Sequence, residues 1–340
     1  MSTEAAQETR TARPRWRSRL WPAAIAGLAG LTLAPLTAWL HPLVDLAAQF
    51  LLQAAAATIL ALGVATLRRD KWAALVLGLC LAGQIALLRP HVAAGGAEAA
   101  LAGSAPLAPS LAGAPPLAGP ASGLKVIHFN LWGRNRGYAE TIRFLESEDA
   151  DIVALVEVTQ AWRRALKPLE RRYAYHADCT VLRRCDLAIF SKIPWQNLRL
   201  DLDRNVDLPL LVVRFDLTDG PLTLFSTHLA RPFYGPLGSQ QAQVARLAGR
   251  VAAAEGRKLV LGDLNAVPWG AVLGEITRRG GVVRLGGIEG TWPSILPFPG
   301  RIAIDHALVD PSLATSRSRT GPALGSDHLP VIVEVREGRR

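Results

Sequence analysis

Hydrophobic and polar positions divide the chain into two regimes. Residues 20–88 are apolar nearly throughout, in three blocks at 20–40, 46–67 and 72–88. About 20 apolar residues is the helix length that crosses a hydrocarbon core, so three transmembrane helices are expected, the third at the short end of the range. Pro35 lies inside the first, which a membrane helix tolerates. The amide side chains in these blocks, Gln49, Gln53 and Gln84, are expected to face neighbouring helices. From residue 124 the period shortens. "KVIHFNLW", "DIVALVEVT", "CDLAIFSK", "LPLLVVRFDL", "PLTLFSTHL", "RKLVLGDLN", "IAIDHALV" and "DHLPVIVEV" read as strands bounded by polar or turn residues. "YAETIRFLESEDA", with Ile142 and Leu145, and residues 239–255, with Val244, Leu247, Ala248 and Val251, carry helical spacing. Strands adjoining strands as well as helices predict a mixed α/β fold. Residues 90–123 are rich in Pro, Gly, Ala and Ser without a period, the composition of a tether with no fixed fold. The expected organisation is a basic tail over 1–19, a membrane anchor over 20–89, a linker over 90–123 and a globular domain over 124–340.

Charge adds an orientation. Arg10, Arg13, Arg15, Arg17 and Arg19 precede the first block, and Arg68, Arg69 and Lys71 separate the second from the third. The turn "HPLVD" between the first two has neither Lys nor Arg. Cations flanking the cytoplasmic ends of spans then place the N-terminus inside and everything after the third span outside, with Arg89 as the one exception. A cleaved signal peptide does not fit, because the first apolar block is too long and two more follow. The formal charge is +10 over 340 residues, which favours anionic partners. Residues 1–122 hold nine Lys/Arg and five Asp/Glu, and the rest hold 29 and 23. The basic excess is therefore dispersed, which argues against a dedicated nucleic-acid patch. Cys179 and Cys185 are close enough in sequence to close a short disulfide loop in an oxidising compartment. A zinc site would need two further ligands, and the nearest, His176 and Asp178, make an unusual set. Cys80 reads as a small buried residue.

Polar groups recur where the apolar strands stop. Asn130, Glu157, His228, Asp263 and Asn265 end four of them, Asp305 and His306 interrupt a fifth, and Asp327 and His328 precede the last. Alone, "GDLN" reads as a strand entering an Asx-rich turn. Period-two alternation puts Asp263 and Asn265 on one face if the strand continues through them. Strand ends on one sheet edge converge in space, however, and active sites gather there. Asn130, Glu157, Asp263, Asn265 and Asp327 offer hard oxygen ligands suited to Mg²⁺ or Mn²⁺. His228 and His328 suit phosphate contacts or proton transfer. The chain has no Walker A loop, HExxH or GxSxG, so ATP-driven, zincin and serine-esterase schemes lack their parts. Metal-assisted phosphate-ester hydrolysis is the chemistry these residues suit.

These residues in this order resemble the endonuclease/exonuclease/phosphatase superfamily, the DNase I-like phosphoesterases, over about residues 125–335. The matching motifs are Asn130 in "FNLW", Glu157 in "LVEV", His228 in "STHL", "GDLN", "IDHALV" and "SDHLP". The resemblance implies two mixed β-sheets packed as a sandwich with flanking helices. It implies Glu157 as principal Mg²⁺ ligand with Asn130 and Asp327, and Asp263 activating water. It also implies Asn265 and His228 on the scissile phosphate, and His328 stabilising the transition state, oriented by Asp305. Two positions depart from the family pattern, Val156 where Gln is frequent and Ser226 where Asn is frequent. His306 and His128 are expected to be structural, and Trp132 and Trp269 to pack the domain. Loop 290–301, with Trp292, reads equally as a rim or as a substrate platform. Arg231 and Arg301 are candidate phosphate contacts on otherwise solvated surface. The three-span anchor resembles that of bacterial membrane-tethered members, so the expected enzyme sits in the cytoplasmic membrane with its catalytic domain outside. Its expected substrate is a phosphate ester, with phospholipids or polyprenyl pyrophosphates suggested by location. A tethered nuclease, or a non-catalytic binding module on the same fold, are the alternatives.

Overall fold

A computed structural model of the chain describes residues 15–93, 123–179, 185–203, 205–233, 235–313 and 316–336. Most of the expected basic tail and linker, residues 1–14 and 94–122, lies outside these. Four helices form the N-terminal bundle: α1 (Arg15–Thr37), α2 (Pro42–Ala48), α3 (Leu51–Leu67) and α4 (Lys71–Ala93). Two stretches, Arg19–Leu40 and Lys71–Val92, are long and apolar enough to cross a membrane. The second expected span differs. It is a bent pair, with α2 and α3 meeting at 56°. Hydropathy is continuous across the break, where Gln49 turns its amide to the Asn265 carbonyl of the globular domain (3.2 Å). Gln84 bonds Thr32 Oγ1 (2.9 Å) and Thr58 Oγ1 (3.1 Å), tying α4 to α1 and α3 as expected. At the opposite end Trp21 Nε1 donates to Asp70 (3.1 Å) and the Arg68 guanidinium lies over the Trp21 ring.

The globular domain is two six-stranded sheets. The first runs β11-β12-β1-β2-β4-β3, with β1 (Leu124–Asn130), β2 (Ile152–Val156), β3 (Tyr175–Asp178), β4 (Ala188–Ser191), β11 (Arg317–Thr320) and β12 (Val331–Val335). The second runs β5-β6-β7-β8-β10-β9, with β5 (Asn197–Asp203), β6 (Leu208–Leu217), β7 (Gly220–His228), β8 (Arg257–Asp263), β9 (Val283–Leu285) and β10 (Asp305–Val309). Both repeat one pattern: a central parallel pair, β1/β2 or β7/β8, with antiparallel strands outward.

Val126, Ala154 and Val333 of one sheet meet Leu211, Leu224 and Leu261 of the other in the shared core. On the outer faces α5 (Tyr138–Glu148) and α6 (Gln160–Ala165) cover the first sheet through Leu145 and Trp162. Helices α7 (Ser239–Ala253) and α8 (Ala271–Gly280) cover the second through Val244, Leu247 and Ile276. Central strands buried on both faces read as unbroken apolar runs, which is why β2 is "IVALV". Each such Leu, Ile or Phe contributes about 1.5–3 kcal/mol on burial. Cys179 and Cys185 are joined in a disulfide within this core, their Cα atoms 5.4 Å apart, and Cys80 is free and buried.

Candidate active site

Strand register assembles the site. His228 is level with Asp263 across the parallel β7/β8 pair, and Asp263 is level with Asp305 across β8/β10. Three polar groups thus stand in one row at the edge of the second sheet. Gly262 permits the β7/β8 approach, since a Cβ there would collide with the Thr227 carbonyl. In the first sheet Asn130 ends β1 and Glu157 follows β2. β8 stops at Asp263, so Asn265 does not share its face by alternation. Instead Asn265 has a left-handed backbone (φ 47°), donates its amide N–H to Asp263 Oδ1 (3.0 Å), and sends Nδ2 to the Leu229 carbonyl (2.8 Å). Glu157 (φ 57°) and Trp132 (φ 55°) are also left-handed. Such backbone is uncommon away from glycine and persists where surroundings over-determine it.

The amide Nδ2 of Asn130 sits between Glu157 Oε1 (3.2 Å) and Asp263 Oδ2 (3.0 Å), linking the sheets. Asp263 Oδ2 also faces His228 Nε2 at 3.6 Å and His328 Nε2 at 3.7 Å. Each imidazole has its own carboxylate behind it: His228 Nδ1 meets Asp186 (3.0 Å), and His328 Nδ1 meets Asp305 (2.7 Å). The other Asp305 oxygen is held by His128 Nε2 (3.1 Å). Burial opposes charge on His228, but the Asp186 hydrogen bond and the charges of Asp186, Asp263 and Glu157 outweigh it and lift the ring to about 9. His328 is lifted to about 10, because Asp305 and Asp263 overcome its burial. Burial and the neighbouring Asp305 charge raise Asp263, against the opposing pull of both imidazoles. Asp305 is itself buried, yet His328 and His128 hold it far below the usual carboxylate range. The set is therefore two charged imidazoles flanking one carboxylate of raised basicity.

Among the described residues, one cluster of acidic and histidine ligand atoms could hold a divalent cation. Asp263, Asp305 and His328 bring ligand atoms within 4.8 Å of one another. Both oxygens of Asp305 are already spent on imidazoles, however, which makes this trio better suited to holding protons. Glu157 Oε1 accepts from Asn130 Nδ2, with Arg231 at 3.6 Å, while its Oε2 accepts the Gly133 N–H. Asp327 Oδ1 is buried with no hydrogen-bond partner. An unpaired buried carboxylate oxygen is what a hard cation satisfies, so Asp327, with the oxygen donors of Glu157 and Asn130, offers the chemistry of such a site.

The remaining expected residues are placed as follows. Trp292 Nε1 donates to Asp327 Oδ2 (3.1 Å), so loop 290–301 touches the site through that ring. Among the described residues Arg301 makes no side-chain hydrogen bond to the site; its carbonyl accepts from Gln53 (3.1 Å) and its Nε is buried without a hydrogen-bond partner there. His306 bonds the Ala266 carbonyl (2.7 Å) and accepts from Arg284 (2.9 Å), and burial together with the Arg284 charge depresses it to about 3. It is structural, as expected. Val156 packs in the core, and the Ser226 hydroxyl is buried with no partner.

The sequence pattern that defines the Endonuclease/Exonuclease/phosphatase family matches residues 127–328, which contain all these groups. The chain belongs to that family. Endonuclease/Exonuclease/phosphatase family members hydrolyse phosphodiesters with a divalent metal. Among solved structures, the chain is similar to a humanized D. rerio TDP2 with 14 mutations (15% identity, TM-score 0.51, covering 64% of this chain and 100% of that one). It is similar to D. rerio TDP2 complexed with single-strand DNA product (16%, 0.50, 63% and 99%). It is also similar to an endonuclease/exonuclease/phosphatase from Beutenbergia cavernae (16%, 0.50, 64% and 72%). At these identities the likeness establishes the fold. No curated protein matches by sequence.

Asp186 and the Asp305 contact of His128 escape the sequence reading. Asp186 opens an apolar run instead of ending one, and His128 lies inside β1. The one signal is that His128 falls within the strand that ends on Asn130; Asp186 precedes a strand that carries no other candidate residue.

Proposed function

We propose that this chain is a Mg²⁺-dependent phosphoesterase (Mn²⁺ substituting) anchored in a bacterial cytoplasmic membrane, with its catalytic domain on the outer face. Its substrates would be phosphate esters of lipids, phospholipids or polyprenyl pyrophosphates. The carrying observation is the Asp263 carboxylate set between two imidazoles, each backed by its own aspartate. Glu157, Asn130 and Asp327 would hold the ion, which when bound neutralises charge gathering on the phosphate oxygens. Asp263 orients the attacking water and takes its proton, a role its raised pKa favours. The charged His328 donates from Nε2 to a phosphate oxygen, stabilising the transition state, while Asp305 fixes the ring. His228 donates from the other side of Asp263, and the second amide hydrogen of Asn265 is available to the same phosphate. Arg231, 3.6 Å from Glu157 Oε1, would be a further phosphate contact, and Trp292 steadies Asp327. Two apolar helices of spanning length and the cation-rich Arg68–Lys71 turn support the anchored, outward-facing reading.

Purified full-length protein should hydrolyse bis-p-nitrophenyl phosphate with Mg²⁺ and lose activity in EDTA. Asp263→Ala and His328→Ala should each abolish turnover without unfolding the domain. A folded protein inert towards every phosphate ester tried would refute the assignment. The tethered nuclease is the second reading, favoured by the likeness to a DNA-processing fold. It predicts DNA or RNA cleavage with a steep salt dependence. The dispersed charge, 29 basic against 23 acidic residues after residue 122, speaks against it. A non-catalytic binding module would have lost a metal or water-activating group, and the sequence retains each candidate.

A further inference from the structure

The globular domain docks directly on the anchor. Asp45 of α2 accepts from the Ala271 N–H at the start of α8 (2.6 Å), and Trp269 Nε1 donates to the Ala48 carbonyl (2.7 Å). Ala48, Leu51, Leu52 and Leu88 of the bundle share an apolar cluster with Val267, Trp269, Ile302 and Ile304. Gln53, in the first turn of α3, donates to the carbonyls of Pro299 (2.8 Å) and Arg301 (3.1 Å). Loop 292–299 therefore has one end on a membrane-facing helix and the other, through Trp292 and Asp327, in the catalytic cleft.

Between those ends the loop shows large apolar side chains to the outside. Ile295 is 86% exposed and Phe298 50%, with Leu296 and Trp292 also open. Pro293, Pro297 and Pro299 restrict the chain, so little backbone freedom is lost if these side chains are buried. Ile295 is four residues from Pro299, at most about 14 Å of extended chain from the α3 contact. An apolar strip of this kind is costly in water and favourable in the acyl boundary of a bilayer.

We propose that Ile295, Leu296 and Phe298 insert into the lipid layer beside α3. They form an apolar ramp along which a lipid-linked phosphate ester passes its head to the Glu157–Asp263 cleft while its tail stays in the membrane. The occupant is the bilayer that surrounds the anchor, because Gln53 fixes the strip to a helix already within it. The substrate part of this inference rests on the phosphoesterase reading, and the insertion part on the membrane-anchored reading alone.

The two parts separate in one experiment on the full chain, reconstituted in phosphatidylcholine/phosphatidylglycerol vesicles. In a Cys80→Ser background, bimane on Ile295→Cys should be quenched by acyl-chain-brominated lipid and shielded from aqueous iodide. Bimane on Glu146→Cys, at the far face, should behave oppositely. A label at position 295 that is open to iodide and untouched by brominated lipid overturns insertion. The Ile295→Ser/Phe298→Ser double variant should hydrolyse soluble bis-p-nitrophenyl phosphate as the parent does. It should lose at least about a hundredfold in kcat/KM on phosphatidylglycerol in the same vesicles, about tenfold for each of the two large apolar side chains no longer buried. Equal loss on both substrates, or no loss on either, overturns the ramp. Failure of the parent on both substrates would refute the phosphoesterase reading, with the bimane result still deciding insertion.

Discussion

Replacing Asp305 by Asn tests the electrostatics of the site most sharply. Its carboxylate is buried, bonded on one oxygen by His128 and on the other by His328. The substitution keeps the shape and removes the charge. Leaving a buried cation without its partner costs about 3–5 kcal/mol, and His328 can lessen this only by giving up its proton. At about 2–4 °C per kcal/mol for a domain of this size, melting should fall by roughly 6–20 °C. The catalytic effect follows from the proton. His328 stands at about 10 with Asp305 in place. Without it the ring returns towards the ordinary value near 6.5, so about a tenth of molecules are charged one pH unit higher. Turnover of bis-p-nitrophenyl phosphate should drop at least about tenfold at that pH, with more lost if the ring also swings. Because the lost species is the charged ring, lowering the pH should restore part of the rate in the variant and not in the parent. A variant with parental melting temperature and a rate within about threefold of the parent, flat with pH, would refute this account of His328.

Asp186→Asn should change the pH dependence of stability. The folded value of His228 is raised from 6.5 to about 9, so its contribution is complete below 6.5 and is lost as pH rises through about 9. Melting temperature in EDTA should decline across that window in the parent and less in Asp186→Asn; identical slopes would remove Asp186 from the role. Asp45→Ala removes the acceptor at the α8 N-terminus, costing about 1–2 kcal/mol or roughly 2–8 °C, and calorimetry that shows no change would contradict a firm dock. The Cys179→Ser/Cys185→Ser pair should lose about 2 kcal/mol by denaturant titration, the loop-closure term for so short a ring. Glu157→Gln should weaken Mn²⁺ binding by tenfold or more, measured calorimetrically, while Asp305→Asn should not; the reverse order would move the ion to the Asp263–Asp305–His328 trio.

Legibility in the sequence follows physical range. Asn130, Asp263 and His228 can be found because each closes an apolar run, and two-sided burial makes such runs conspicuous. The mixed α/β architecture is legible for the same reason. The partners of those residues are not, since Asp186 behind His228 and His128 behind Asp305 are set by inter-strand register. Short helices are hard to read as well: α6 has six residues, and α8 is bounded by glycines that mask its Val272, Leu273 and Ile276 stripe. The bend between α2 and α3 has no Pro or Gly at the break to announce it. It lies beside Gln49 and Gln53, whose side chains meet carbonyls more than 200 positions away.

The grip of α2 and α3 on the Trp269 surface bears on how the protein would meet proteases. Cutting anywhere between residues 94 and 122 severs the only covalent path from bundle to domain, yet the Ala48–Trp269, Asp45–Ala271 and Gln53–Pro299 contacts are untouched. A nick there would yield two fragments that stay together, so shedding into the surroundings would require a detergent or a denaturant as well as a blade.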